Sequence, residues 1–451
     1  MDTDYKPLLS PSLGEPSQEH SQESGKQILK DFPELSGTHI KSDAERYYIY
    51  EKKVFEKNVM LASEPITYNY SVNSVAFHPS DELIAAGSDY TTTTLCKIIK
   101  YAIFGLYDTK RVATMKGVLD GKSQAVRSVA FHPNGELLAT GGGTNVIIWE
   151  IIKEGFFSSS YKAVNKCTIE TGYVVKSVAF HRSGRLLAIG GNNINVNLWQ
   201  LSPDYSLATC VATLEGHSSP VVSVAFHPNG KLLATGSFDK TAKLWRLSPE
   251  YSSADYVETL KGHSSGVTSV AFHPTALILA TGSHDSTVKL WRTWLADCVA
   301  TLQGHSNYVN SVAFHPTAPL LATGSQDKTA KLWRLSSDNS SATCVATVYF
   351  DSFVNSVSFH PTKLFLVTGE SNGYMKLWDI EKLEKGAQKK KYELPQETGL
   401  SGGSIIRHHK KRLSRKLKRY ASKRIKKNRN RNKYKKSKKV KTKTRRYRKF
   451  R

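Results

Sequence analysis

The stretch SVAFHPNGKLLATGSFDKTAKLW, residues 223–245, decides the fold, because the chain repeats it. SVAFHP recurs at 74–79, 128–133, 269–274 and 311–316, with SVAFHR at 177–182 and SVSFHP at 356–361. The phenylalanines of the seven copies are Phe77, Phe131, Phe180, Phe226, Phe272, Phe314 and Phe359, spaced by 54, 49, 46, 46, 42 and 45 residues. A repeat of that length marks one supersecondary unit per copy. Within each copy the pattern is that of strands. VVSVAFH alternates, HPNG turns, KLLATGS runs apolar, FDK turns and TAKLW alternates again; a fourth short run such as CVATL follows a variable loop. Proline after the histidine ends the first strand, since it has no N–H for a ladder. Helical spacing at i, i+3, i+4 is absent across this region.

Gly-His, then SVAFHP, then GS-x-D, then K-L-W at fixed offsets resembles the WD-repeat β-propeller family, over residues 55–380. Phe to Trp is 19 residues in five copies (Trp199, Trp245, Trp291, Trp333, Trp378) and 18 at Trp149, while Cys96 takes the place of Trp in the first copy. The resemblance implies an all-β fold, a seven-bladed β-propeller over 46–385 whose closure leaves only short, protected edges. It also implies that the last blade takes its outermost strand from the N-terminal side, where EKNVMLAS, 56–63, is suitably placed. Further, it implies a hydrogen-bonded chain in each of three blades: His217, Thr235, Asp239, Trp245; His263, Thr281, Asp285, Trp291; and His305, Thr323, Asp327, Trp333. An Asp–His–Thr set resembles a hydrolase triad, but catalysis needs one preorganised copy, and three equivalent buried networks read as scaffolding that fixes strand register. Copies one, two, three and seven lack Gly-His, and Tyr90, Gly143, Asn193 and Asn372 occupy the Asp position. Blades four to six are therefore expected to be the rigid arc.

Seven of the 15 histidines belong to the FHP or FHR string, one per blade, and so cannot converge on a metal ion. Cys167, Cys210, Cys298 and Cys344 each align with the start of a fourth strand, too far apart to pair. An odd count of five cysteines points to an intracellular, reducing compartment. No GxGxxG, P-loop or H-E-x-x-H occurs, so neither cofactor nor enzymatic activity is expected. Two excursions, KYAIFGLYDTK at 100–110 and KEGFFSSSYKA at 153–163, carry aromatics where a loop is normally polar. They make Phe104, Tyr107, Phe156 and Phe157 the candidates for a partner-binding patch, against packing on the blade edge as the plainer reading.

The charge divides the chain in two. Of 64 Lys and Arg, 26 fall between Arg407 and Arg451, where no Asp or Glu occurs; the first 406 residues carry 38 of each sign. Residues 1–45, rich in Ser, Glu, Gln and Pro, are expected to be disordered. Residues 386–406 read as a linker, and 407–451 as a disordered basic tail. Its candidate polyanion contacts are Lys410, Lys411, Arg412, Arg415, Lys416, Lys418, Arg419, Lys423, Arg424, Lys426, Lys427, Arg445, Arg446 and Arg448. Such a run neutralises phosphates and releases counterions without reading sequence. Nucleic acid is the leading target; the same run would also serve as a nuclear-import signal, and an acidic protein or an anionic membrane surface is a further target, while no apolar run is long enough for an integral span. The expected protein is thus a non-enzymatic scaffold for protein partners with a nucleic-acid-binding tail, in the nucleus or another nucleic-acid-rich compartment, a virion included. The alternative is a nucleic-acid-associated assembly or packaging factor, viral or chromatin-linked, in which the tail is the main functional element.

Overall fold

The computed structural model describes Met60 and residues 66–80, 83–101, 106–116, 125–155 and 160–393. The segments 1–45 and 407–451 lie outside the described residues. Among those described, 28 strands form seven four-stranded antiparallel sheets. Each sheet runs in chain order, as in Val221–Phe226, Leu232–Ser237, Ala242–Leu247 and Ala254–Leu260. The exception is the seventh, whose outermost strand is Ile66–Thr67, paired with Tyr374 and Met375. The ring is closed from the N-terminal side as expected, and of the segment 56–63 all but Met60 lies outside the described residues. From that earlier segment only Met60 makes a described contact, an isolated bridge to Trp378. Tyr68 N–H to Gly373 O at 2.7 Å fixes the register after Thr67.

The repeated string is the joint between blades. In every blade the serine of SVAF or SVSF accepts, through Oγ, the backbone N–H of the fourth residue in the next blade's first strand, at 3.0–3.1 Å. The last of these, Val75 N–H to Ser356 Oγ, closes the circle. Each FHP or FHR histidine sits edge-on to the next blade's phenylalanine at 5.0–5.2 Å, from His78–Phe131 round to His360–Phe77. Glycine in the second strand permits this approach. A Cβ on Gly282 would lie 2.8 Å from Val309 Cγ1, and one on Gly369 would lie 2.7 Å from Val72 Cγ1 across the closing joint. Between the blades the layer is apolar; Ala139, Ile148, Val175, Val178 and Leu187, from blades two and three, are all buried together. Each Val, Leu or Ile side chain among them contributes about 1.5–3 kcal/mol on removal from water.

Three further features depart from the sequence expectation. The 100–110 excursion is largely strand, Thr92–Tyr101 pairing with Leu106–Lys116, and 153–163 likewise lies between the paired strands Asn145–Lys153 and Tyr161–Glu170. Cys167 is two residues out of alignment with the other cysteines. Asn165 faces Trp149 as Cys210 faces Trp199, so Cys167 matches Ala212 and is buried while Cys210, Cys298 and Cys344 are exposed. Finally, a helix, Ile380–Glu393, crosses the boundary drawn at 385/386 into what read as linker. Its causes are local: Asp379 Oδ1 accepts Lys382 N–H as an N-cap, Glu381 sits in the first turn, and Lys385 pairs with Glu381 one turn on. Ile380 and Leu383 bury in the apolar cluster shared by blades six and seven. Among the described residues no helix is long and apolar enough to cross a membrane.

Candidate docking face and buried networks

In blade four Trp245 Nε1–H donates to Thr235 Oγ1 at 3.0 Å, Thr235 bonds His217 Nε2 at 2.8 Å, and His217 Nδ1 meets Asp239 Oδ2 at 2.6 Å. Asp239 also accepts from Ser218 N–H and from Thr241 N–H and Oγ1–H, fixing both turns at that end of the blade. Blades five and six repeat the chain through His263, Thr281, Asp285 and Trp291, and through His305, Thr323, Asp327 and Trp333, at 2.7–3.0 Å. A carboxylate can only accept, so Nδ1–H donates to Asp, and Thr Oγ1–H can donate to Nε2, an arrangement that suits a neutral His263. Burial pushes His263 below the ordinary imidazole value despite the opposing pull of Asp285. Burial raises Asp285, but bonds from Thr287 and His263 more than reverse it and leave its carboxyl low. Asp239 and Asp327 are held well below the carboxylate range in the same way, by bonds from His217 and Thr241 and from His305 and Thr329 that outweigh burial. The three threonine hydroxyls are fully buried and bonded on both sides, which leaves no approach for a substrate carbon.

The other blades keep fragments. Trp149 bonds Thr140 at 2.8 Å and Trp378 bonds Thr368 at 3.0 Å. In blade three Ile189 replaces the threonine, and the buried Trp199 Nε1 has no partner. In blade one Cys96 meets Tyr68 OH at 3.6 Å, and burial pushes its thiol up to about 11. Blade seven uses a different device: Phe350 stands in the histidine position, edge-on to Trp378, and Lys376 Nζ lies 5.2 Å from its ring and 3.2 Å from the fully buried Glu370. Amide exchange in the strands of 221–335 is therefore expected to be slower than in those of 72–200, and equal protection would remove the idea of a rigid arc.

The same turns carry an exposed aromatic arc. The turn after the second strand bonds to the turn before the first: Phe238 N–H to Pro220 O, His284 N–H to Gly266 O, Gln326 N–H to Tyr308 O and Ser371 N–H to Phe353 O, at 2.9–3.1 Å. All these side chains thus gather at one end of the ring. Phe238 lies 5.4 Å from His284, which stacks on Tyr308 at 4.1 Å. Phe353 follows on blade seven, and on blade one Tyr70 stacks on Tyr90 at 4.7 Å and 10°. Phe238, Tyr308, Phe353, Tyr70 and Tyr90 are each 40–50% exposed. Sequence reading passed over these residues as turn positions, because their adjacency exists only between blades. Of the residues it singled out, Tyr107 lies half-buried on a strand, edge-on to Phe365 at 5.0 Å; Phe104, Phe156 and Phe157 lie outside the described residues. At the opposite end Trp294 and Leu277 border a cleft of about 260 Å³ with Asp338 and Asn339. Among the described residues no cluster of His, Cys, Asp or Glu is arranged to hold a metal.

Seven separate four-stranded sheets packed on one another through apolar layers in a closed circle define an all-β, seven-bladed β-propeller. The chain belongs to the WD40 repeat family: the WD domain, G-beta repeat matches residues 65–92, 113–150, 208–246, 254–292, 296–334 and 342–379. The stretch passed over, 151–207, holds the blade in which Ile189 and Asn193 replace the network residues. No curated protein matches the chain. Propellers of this family typically act as protein-interaction scaffolds and are usually non-catalytic.

Proposed function

We propose that this protein is a non-enzymatic scaffold that docks a protein partner on the aromatic arc and attaches to nucleic acid through residues 407–451. The observation that carries the first half is the run of ring contacts Phe238–His284–Tyr308, spread over three blades, with the half-buried His284 flanked by the exposed Phe238 and Tyr308. Rigid aromatics near the centre of a surface supply most binding energy at interfaces, at little entropic cost. The blade networks support it by holding those turns still. The second half rests on the charge partition alone: 26 cations and no acid in 45 residues. That partition equally motivates the reading as an assembly factor in which the tail leads and the ring adapts.

Two double variants of the full chain test the docking reading. Phe238→Ser with Tyr308→Ser is expected to weaken the partner's binding by about 30-fold or more, the effect of losing a hot spot. Phe156→Ser with Phe157→Ser is expected to leave it unchanged. Pull-down of the same proteins by the first variant and their loss from the second would move the docking surface to the 153–163 excursion.

A further inference from the structure

The second residue of each blade's first strand is special. In every blade a β-bulge falls there, and this strand is the one that meets its neighbours around the axis. Seven bulged side chains therefore ring the mouth of the central channel, at the end where the turns gather. Four of them reach the next blade's first-strand carbonyl: Asn73 to Val126 O, Asn310 to Val354 O and Asn355 to Val72 O at 3.1 Å, and Thr268 to Val309 O. Val222 is apolar. The remaining two, on adjacent blades, are Arg127 and Lys176.

Among the described residues nothing neutralises this pair: neither cation forms an ion pair, and the buried Arg127 Nε has no acceptor. Of the described turns beside them, those after the second strands carry no acid: Gly143 and Asn193 stand where Asp239, Asp285 and Asp327 stand in blades four to six, while Asp120, between Lys116 and Val126, lies outside the described residues. The acid at this end on blade one, Asp89, accepts a bond from the neutral Asn73 at 2.8 Å. The missing network carboxylates of blades two and three thus coincide with two adjacent positive charges that have no ion pair among the described residues.

We propose that Arg127 and Lys176 hold a phosphate-class oxyanion at the channel mouth. A guanidinium offers a fork of two parallel donors to such an ion, and an ammonium adds a compact charge beside it. A dianion satisfies both cations and the orphaned Nε–H, whereas a carboxylate neutralises only one charge. Burial and the charge of Arg127 together hold the Lys176 ammonium below its ordinary value, a tension that a bound dianion removes. The site lies on blades two and three, apart from the aromatic run on blades four to six, and does not depend on it.

The test is calorimetric titration of the full chain with inorganic phosphate, for the wild type and for Arg127→Gln with Lys176→Gln. Both proteins carry the same tail, so the difference between them belongs to the ring. The double variant is expected to lose at least tenfold in affinity while melting at the wild-type temperature or above, since like charges have been removed. The single variant Lys176→Gln should fall between the two. Sulfate should displace phosphate, and acetate at equal concentration should not. Phosphoserine in place of phosphate separates the sources: equal affinity assigns the site to a phosphorylated side chain of a partner, and weaker binding assigns it to a free ion. Superimposable isotherms for wild type and double variant, or acetate competing as well as sulfate, would overturn the proposal.

Discussion

Ending the chain at residue 400 is expected to abolish its binding to generic DNA or RNA. In the full-length protein that binding should fall about 10³–10⁵-fold between about 50 and 200 mM salt, if about 6–10 phosphates are neutralised. The expectation follows from where the charge sits. The first 406 residues balance at 38 groups of each sign, and within them 46–385 has only a small excess, 31 Lys and Arg against 27 Asp and Glu, while residues 407–451 supply 26 cations and no acid. Counterion release makes such attachment steep in salt and indifferent to base sequence. Filter binding or fluorescence anisotropy at several salt concentrations, with full chain and truncation side by side, reads both slope and loss. Unchanged affinity after truncation would transfer the activity to the ring.

Replacing His263 by alanine is expected to cost about 2–4 kcal/mol of stability at neutral pH, because it removes a donor from the largely buried Asp285 carboxylate and strands the Thr281 hydroxyl. The cost should depend on pH with a definite sign. His263 has a folded value below its unfolded one, so its contribution is fully present above the unfolded value of about 6.5 and is lost as pH falls below it. Asp285 is depressed in the fold, so its contribution is present above about 3.9 and is lost as pH falls through the folded value. Between pH 7 and pH 5 the wild type therefore loses stability that the variant never had, and the gap between them narrows. Urea midpoints at the two pH values check this; a gap that widens on acidification would contradict the neutral His263 that burial favours.

Much of this molecule is legible in its sequence because its contacts recur at fixed offsets. The SVAFHP string gives the strands, and the Gly-His, Asp and Trp offsets give the networks, since each lies within one blade and 28 residues of chain. What escapes is whatever depends on two blades or on a few local bonds. Phe238, His284 and Tyr308 are 24 to 46 residues apart in pairs, and nothing in a turn reading GSFD or GSHD tells that the rings will stack. Arg127 and Lys176 look like free variation inside QAVRSVAF and YVVKSVAF until the bulge brings them to one mouth. The helix Ile380–Glu393 was hidden by its charge: one apolar stripe residue per turn is weak evidence beside a run of lysines, yet the Asp379 cap and buried Leu383 suffice. Cys167 was misread because a longer outer strand slid it two places along an otherwise familiar string.

The serine-to-valine joints all point the same way round. Each blade presents one half of a hinge pin on one side and the matching half on the other, so a unit copied whole arrives with both fittings and can be spliced in or cut out without inventing new chemistry. The gene is thereby free to lengthen or shorten by one module at a time. The circle's curvature, and not the fit of any single seam, is what limits how many modules it holds.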